Sequence, residues 1–159
     1  MPAADRPRWL LPLLAAALAV AATLPFLGAR HGELVWDDRM LIAEELRFYS
    51  PRFALEVFTQ DFFSDTEEIY RYGYYRPLTS LSYYLSWKRW QEAPQPYHLT
   101  NIGLHAAATL SLFALALALL RPRTWAPFAG ALLFALHPVH VESVAWLSGR
   151  TDVLAGLLL

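Results

Sequence analysis

The chain has 159 residues, of which 56% are apolar and 17% are charged, and its formal net charge is -1. Soluble domains usually carry about a quarter charged residues, and here the apolar residues are gathered into long runs. This composition excludes a disordered tail, and the absence of cysteine excludes a disulfide-stapled secreted fold. Because there is no basic excess, nucleic acid is not expected as a partner. The composition indicates a small membrane protein or a piece of a larger one.

The first apolar run extends from Trp9 to Leu27 without a charged side chain. At about 1.5 Å per residue, a helix of this length covers nearly the whole hydrocarbon layer of roughly 30 Å. The alternative is a cleaved signal peptide, but the run is longer than a typical signal-peptide core and ends in FLGAR, a poor cleavage site. We therefore predict a retained membrane helix at about residues 9–28.

Two more apolar runs follow, and a fourth starts shortly before the sequence stops. We predict membrane helices at about residues 98–120 and 125–141 and the start of a fourth at residue 152. The last run is too short to cross a bilayer before Leu159. The fold class expected is therefore all-α: a polytopic membrane protein, and the N-terminal fragment of a larger membrane fold.

Polar side chains interrupt the second run on one side. His98, Asn101 and His105 have the spacing of one helical face. Polar groups in a bilayer are costly unless they face protein or a water-filled cavity. This face is therefore either a hydrogen-bonding stripe between helices or the lining of a site, and the sequence leaves both interpretations open.

Arginine placement predicts the orientation in the membrane. Arg6 and Arg8 precede the first run, and Arg121 and Arg123 follow the second. Because short positively charged loops stay in the cytoplasm, the N-terminus is expected there. The loop 30–96, and the stretch between the third and fourth runs, are then external. The expected location is integral to a membrane, taken to be the inner membrane of a bacterial cell, so the bilayer is a partner.

The long external loop is rich in aromatic residues, which is not typical of a flexible linker. Ser50 and Pro51 favour a helix start, and an apolar stripe follows, formed by Phe53, Val57, Phe58 and Phe62. Pro77 favours another helix, whose three leucines share one face and whose end carries Trp87 and Trp90 beside two basic residues. Such a pattern is typical of interfacial anchors. We expect these helices to lie on the outer membrane surface.

Two adjacent carboxylates, Asp37 and Asp38, follow the first predicted membrane helix. Close to a membrane surface, such a pair could supply a general base and a metal ligand. The alternative is simpler, because Asp is a favoured helix N-cap and the segment after the pair has a helical pattern.

Polar residues around Pro138 form a second candidate. His137, His140 and Glu142 lie within six residues and could contribute to a metal site. Their spacing is not that of a helical HExxH site, and no second cluster completes it. The alternative is a helix that breaks at Pro138 and places polar groups at the outer interface.

Two arginines form further candidates. Arg150 follows Gly149, which permits a tight turn, and its planar guanidinium could bind phosphate or reach the interface beside Asp152. Arg76 follows Tyr74 and an adjacent tyrosine, so it could grip an anion or simply sit at the start of a surface helix.

The motifs WDD, YYRPLTSLSYYL, YHLTNIGLHA and ALLFALHPVHVESVAWLSGRTDVLAG occur in this order along nearly the whole chain. Together they resemble the N-terminal part of the transmembrane and TPR repeat-containing glycosyltransferases. These are integral-membrane enzymes with the C-type glycosyltransferase fold, O-mannosyltransferases among them. HPVHVESVAWLSGR is the most specific of these strings. That family continues with further membrane helices and a TPR array, and we expect this sequence to be a fragment that precedes them.

The resemblance implies a transferase that takes sugar from a polyprenyl-phosphate-linked donor on the non-cytoplasmic side and passes it to an acceptor hydroxyl, which could belong to a protein. Asp37 would be the base that activates the hydroxyl. Asp38 would position the acceptor, or a divalent metal where one is used. The remaining motif positions would lie near the substrate; these are Arg76, His137, His140, Glu142 and Arg150. Two other classes stay open: a non-catalytic membrane scaffold or assembly protein, and a fragment of a transporter.

Overall fold

The computed structural model describes residues 7–62, 73–120 and 123–158. Every regular element within these ranges is helical, as expected from the composition. The α-helices among these residues are α1 (Leu10–Thr23), α2 (Phe53–Glu56), α3 (Pro77–Trp90), α4 (Pro94–Leu119), α5 (Trp125–Leu136), α6 (His140–Ala145) and α7 (Arg150–Leu158). Short 3₁₀ segments lie at Leu24–His31, Leu46–Tyr49 and Leu147–Gly149, and a π-helical turn at Arg39–Ala43.

Two of these helical segments are long and apolar enough to cross a membrane. One is Leu10–His31, in which α1 continues into the first 3₁₀ segment, with 22 residues and a mean hydropathy of 2.2. The other is α4, with 26 residues and a mean hydropathy of 2.0. The α-helical pattern gives way to a tighter one at Leu24 because Pro25 lacks the N–H that would continue the ladder. The prediction of an all-helical membrane protein is confirmed.

The third predicted helix ends earlier than the hydropathy suggested. The helix α5 stops at Leu136, and His137 has extended backbone angles, with φ -68° and ψ 126°. Proline disfavours helical angles in the residue before it, so Pro138 separates α5 from the short α6. The region 125–141 is thus a helix, a turn and the beginning of a second helix.

The membrane-type helices pack around α4. An apolar cluster joins α1, α4 and α5, built on Leu10, Leu14, Leu18, Phe113 and Ala131. Farther toward the opposite end of α4, a smaller cluster joins the end of the first segment to α6 and α7, and contains Phe26, Ile102, Val144 and Val153. The C-terminal half of α4 therefore packs in an apolar cluster, and the polar residues of its stripe lie in the N-terminal half.

The described part of the segment 30–96 packs around a second, larger core. Buried side chains from the loop, α3, α4 and the 147–149 turn form it: Leu41, Ile42, Phe48, Phe53, Val57, Phe62, Tyr83, Tyr84, Trp87, Tyr97 and Leu147. Trp87 is 4% exposed and packs against Phe48, so it cannot act as the exposed interfacial anchor expected from the sequence. Leu78 and Leu85 point away from this core and are exposed. In the stripe predicted after Pro51, Phe58 is also exposed.

Candidate active site

The side chain of Asp38 ties the acidic loop to a distant part of the chain. Its Oδ2 accepts a hydrogen bond from the Val35 N–H at 3.1 Å. Its Oδ1 accepts from both the N–H and the hydroxyl of Ser148, at 3.0 and 2.8 Å. Only 1% of Asp38 is exposed, and this burial raises its pKa, while the hydrogen bonds from Ser148 and Val35 act in the opposite direction. None of these hydrogen bonds comes from an N–H of the helical turn Arg39–Ala43 that follows, so Asp38 is not a side-chain helix cap.

Asp37, the neighbouring acid, has different surroundings. Its side chain is half-buried, and within the described ranges no hydrogen bond or ion pair engages its carboxylate. A carboxylate without a protein partner is available to accept a proton from another molecule. The two acids therefore differ in their surroundings: protein hydrogen bonds hold the carboxylate of Asp38, and no described residue holds that of Asp37.

The turn that carries both acids is held in an uncommon conformation. Trp36 has φ 49°, in the left-handed region that bulky residues rarely adopt, and its side chain is 82% exposed. The Asp38 N–H closes the turn by donating to the Val35 carbonyl at 3.0 Å. Such a conformation costs about 1–3 kcal/mol and persists where surrounding contacts fix it. Here the bonds from Val35 and Ser148 to Asp38 provide that fixation.

Arg150 is enclosed by protein. It is 0% exposed, and its Nε donates to Oδ1 of Asn101 at 2.8 Å. The other nitrogens donate to Ser86 Oγ at 3.2 Å and to the Tyr97 carbonyl at 3.2 Å. The guanidinium also lies 4.5 Å from the ring centroid of Tyr83. In this arrangement Arg150 joins α3, α4 and α7, and its donors point at protein rather than at a ligand.

Tyr83 lies between the charged groups of the predicted site. Its hydroxyl donates to the Leu147 carbonyl at 2.6 Å, next to the residue that binds Asp38. Burial raises the pKa of this phenol, and the charges of Arg150, Asp38 and Arg76 all act on it. The structure therefore brings Asp38, Arg76 and Arg150 around one buried tyrosine, although 112 positions separate the first from the last in the sequence.

Arg76 keeps more access than Arg150. It is half-buried, and its guanidinium lies 4.8 Å from the ring centroid of Tyr74 and 5.5 Å from that of Phe62. One nitrogen donates to the Thr151 hydroxyl at 3.5 Å, at the start of α7. The neighbouring aromatic rings hold the guanidinium by cation–π contacts without consuming its hydrogen-bond donors. It remains suited to bind an anion.

The polar stripe on α4 faces protein along its whole length. Nδ2 of Asn101 donates to the Trp146 carbonyl at 3.1 Å, and His105 Nε2 lies 3.2 Å from the Ala135 carbonyl. These bonds match the interpretation of a stripe that hydrogen-bonds neighbouring segments. His98 differs: it is 3% exposed, and neither ring nitrogen has a partner among the described residues. Gly32 packs on this ring so closely that a Cβ at position 32 would come within 3.0 Å of Nε2.

The three candidates from HPVHVES separate in space. His137 and Glu142 are exposed. The ring of His140 turns inward, 4.4 Å from that of Phe134 and 5.0 Å from that of His105 between centroids. Burial, and to a lesser extent the nearby His137, lower the pKa of His140. Thus only one of the three enters the interior.

His140 lines a cavity of about 270 Å³ between α4, α5, α6 and α7. Polar side chains from the motifs HPVHVES and SGRTD meet there, since Ser143 and Asp152 also line it. The Ser143 hydroxyl donates to Asp152 Oδ2 at 3.3 Å. Gly149 permits this approach of the two motifs, because a Cβ there would lie 2.6 Å from the Ser143 carbonyl oxygen. Gly149 also ends the tight 3₁₀ turn Leu147–Gly149, so the missing Cβ allows close packing at the turn expected from the sequence.

The donor set around Asp38 does not fit a divalent metal. Within residues 7–62, 73–120 and 123–158, no three His, Asp or Glu side chains converge on a point where an ion could bind. Both oxygens of Asp38 already accept hydrogen bonds. We therefore derive no catalytic step through a metal at this position.

Sequence reasoning did not identify Tyr83 as part of this site. It singled out the motif that contains Ser148, two residues before Arg150, but did not predict the bond from Ser148 to Asp38. Tyr83 is one of several tyrosines in YYRPLTSLSYYL, and nothing in the sequence distinguishes it from its neighbours.

Comparison with known proteins identifies relatives along most of the chain. The protein O-mannosyl-transferase TMTC1 of Mus musculus is 38% identical over 159 residues, covering 96% of this chain and 17% of the relative. Tmtc1 of Drosophila melanogaster is 36% identical over 141 residues, covering 88% and 16%. TMTC2 of Mus musculus is 46% identical over 83 residues, covering 52% and 10%.

No family model and no solved structure matches the chain. The chain spans less than a fifth of the length of these relatives, which all come from animals and so do not support the expectation of a bacterial membrane. The resemblance inferred from the motifs is confirmed by these relatives at 36–46% identity. The chain is therefore homologous to one part of the TMTC protein O-mannosyl-transferases, which are transmembrane, TPR-containing glycosyltransferases.

Proposed function

We propose that this chain supplies the acceptor-activating part of a membrane glycosyltransferase. The transferase would move a sugar, mannose by analogy with its relatives, from a polyprenyl-phosphate donor to a hydroxyl of a protein acceptor. The observation that carries this proposal is the division of the acidic pair. Asp38 is fixed by Ser148 and Val35, while Asp37 beside it has no side-chain partner among the described residues.

Asp37 acts as the general base in this proposal. As the acceptor oxygen forms its bond to the anomeric carbon of the donor sugar, the hydroxyl proton passes to the Asp37 carboxylate. The bond between the anomeric carbon and the phosphate oxygen breaks in the same step, and the electron pair leaves with the polyprenyl phosphate. Asp38 does not exchange protons in this step; it fixes the turn from which Asp37 projects.

Arg76 receives the leaving phosphate. A departing phosphate gains negative charge, so a positioned cation stabilises the transition state. The cation–π contacts of Arg76 leave its donors available, whereas those of Arg150 are used inside the protein. Arg150 accordingly acts as a positioning residue. His137 and Glu142, which are exposed, would meet substrate only at the external surface.

The proposed reaction takes place at the external membrane surface, with the N-terminus in the cytoplasm. A polyprenyl donor keeps its hydrocarbon tail in the bilayer and presents its phosphate at the interface. The acidic turn directly follows the first membrane-type segment, which ends at His31, and so suits that depth. Fractionation of the source cells determines which membrane contains the protein, that of a bacterium or of another cell.

Asp37→Asn tests the proposal in the longest reading frame that contains this chain. Asparagine has nearly the same volume but cannot take the proton, so we expect the rate of sugar transfer to fall by about 10²–10⁴. Transfer is measured with a radiolabelled polyprenyl-phosphate sugar in proteoliposomes. Glu33→Gln, at an exposed acid in the same loop, is the matched control and should transfer at the parental rate.

Stability measurements separate the two acids. Asp37→Asn should leave the melting temperature unchanged, because no bond to its carboxylate is lost. Asp38→Asn should lower it, since an amide cannot accept from both Val35 and Ser148. Full transfer activity of Asp37→Asn would contradict the assignment of the base, and full activity of the double variant would remove the acidic pair from the mechanism.

A further inference from the structure

The cavity beside His140 has a size and a polarity that indicate one kind of ligand. Its volume of about 270 Å³ lies just below the roughly 300–1,000 Å³ of sites for drug-sized molecules. It therefore suits one small group, such as a single sugar ring. The walls come from four helices, so the cavity is a product of the fold rather than of one flexible loop.

Apart from His140, whose neutral ring carries one donor and one acceptor, the polar groups of the cavity offer hydrogen-bond acceptors. Nε2 of His105 faces the Ala135 carbonyl at 3.2 Å, so this nitrogen carries the proton. In the neutral ring, Nδ1 of His105 is then an acceptor. The Ser143 hydroxyl donates its hydrogen bond to Oδ2 of Asp152. The serine oxygen and Oδ1 of Asp152 can therefore still accept hydrogen bonds. A ligand that satisfies this lining has to bring hydroxyl donors of its own.

The same lining disfavours an anion. No Lys or Arg is among the described residues that line the cavity, and Asp152 brings a carboxylate. The remaining wall is apolar, with Phe134 as its largest side chain. An aromatic face and neighbouring aliphatic groups can pack against the C–H groups of a pyranose while its hydroxyls bond to the acceptors.

We propose that this cavity binds the neutral sugar ring of the donor and that the donor phosphate stays outside it, at Arg76. The contact of Arg76 with Thr151 places the guanidinium at the start of α7, one residue before Asp152. Arg76 and the cavity thus contact neighbouring residues of α7, Thr151 and Asp152. The assignment of the sugar to a donor rests on the proposed function, whereas the preference for a hydroxyl-bearing ligand rests on the cavity alone.

Cysteine protection tests the preference, because the chain has no native cysteine. Gly156 lines the cavity, and a Cβ there meets no other atom within 4 Å, so Gly156→Cys introduces a thiol without a clash. Gly130, on α5 and outside the cavity lining, has the same free space and provides the matched control Gly130→Cys. Both variants are reconstituted in lipid nanodiscs and labelled with N-ethylmaleimide.

Three probes with the same tail identify the ligand class: octyl β-D-mannopyranoside, octyl phosphate and octanol. We expect the mannoside to slow labelling at position 156 and not at 130, and the other two probes to have little effect. Asp152→Asn should raise the mannoside concentration needed for half-protection by roughly tenfold, because a charge-assisted hydrogen bond is lost. Ser143→Ala should act in the same direction.

Equal protection by octanol would overturn the proposal, since the cavity would then recognise only the tail. Stronger protection by octyl phosphate, or none by any probe, would overturn it as well. These outcomes are independent of the transfer assay on Asp37→Asn. If the mannoside gives no protection while Asp37→Asn still abolishes transfer, this inference is wrong and the proposed function stands.

Discussion

At the scale of single residues, two adjacent aspartates have separate tasks because their surroundings differ. Asp38 is buried and accepts three hydrogen bonds, and Asp37 is half-buried and accepts none from the described residues. The residue pattern identified the pair but did not by itself distinguish its members, since both follow Trp36 and precede a helical turn. Only the family resemblance implied separate roles. The distinction depends on Ser148, whose position beside Asp38 is set by tertiary packing.

The raised pKa of Asp38 predicts a specific pH dependence. A carboxyl with a folded-state pKa above its ordinary value of 3.8 holds its proton more tightly in the folded state. Its contribution to stability is therefore fully present below pH 3.8 and is lost as the pH rises through the folded-state pKa. Asp38→Asn removes this titration. The difference in unfolding free energy, wild type minus variant, should decrease as the pH rises from below 4.

Denaturation of wild type and Asp38→Asn in detergent, at a series of pH values, measures this difference. Other groups titrate in both proteins and cancel. The variant should also be less stable by about 1–3 kcal/mol, because the amide nitrogen cannot accept a hydrogen bond from the donor at Val35 or Ser148 that it faces. A difference that grows with pH would show that Asp38 is better stabilised as the anion in the folded state than in the unfolded chain.

At the scale of helices, α3 illustrates what the sequence could and could not predict. Pro77 predicted the start of α3, because proline fixes the first turn of a helix. The buried face was not predictable by hydropathy: Leu78 and Leu85 are exposed, while Tyr83 and Ser86 are buried. The inner face has to meet Arg150, and a cation requires hydroxyl groups and aromatic rings rather than leucines. A sequence shows the polarity of a helix face but not the charge buried opposite it.

Arg150 should therefore be essential for joining these helices. Arg150→Met retains much of the volume but leaves the buried Oδ1 of Asn101 without its donor, which costs about 1–3 kcal/mol. It also removes the additional hydrogen bond to the Tyr97 carbonyl of α4. Arg150→Lys should recover only part of the loss, because an ammonium cannot reproduce the planar set of donors. Thermal unfolding in nanodiscs measures both variants.

Arg52→Met, at an exposed position, controls for the loss of a positive charge and should change stability by less than about 0.5 kcal/mol. A stability of Arg150→Met equal to this control would mean that the guanidinium does not hold the helices together.

At the scale of the molecule, the membrane-type helices could be predicted from hydropathy, and their arrangement could not. The runs at 9–28 and 98–120 correspond to segments long enough to cross a bilayer. Hydropathy reports the transfer of a helix into lipid but not the partner it packs against, so the central place of α4 required the structure. The predicted orientation rests partly on Arg6 and Arg121, which lie outside the described residues.

Cysteine labelling on intact cells checks this orientation. The exposed residues Leu55 and Trp125 should lie on opposite sides of the membrane if the N-terminus is cytoplasmic. An impermeant maleimide should label Leu55→Cys directly and Trp125→Cys only after permeabilisation. The reverse pattern would invert the topology and place the acidic pair in the cytoplasm.

The bond between Asp38 and Ser148 has a consequence for biosynthesis. These residues are 110 positions apart, so the acidic turn leaves the ribosome well before its partner is made. At synthesis rates of about 5–20 residues per second, the delay is on the order of 5–20 s. During this time the first helix can insert, but the turn lacks the contacts that give Trp36 its left-handed backbone. The candidate base is thus assembled late, and a nascent chain released before Ser148 would carry the acidic pair without the geometry that separates its two roles.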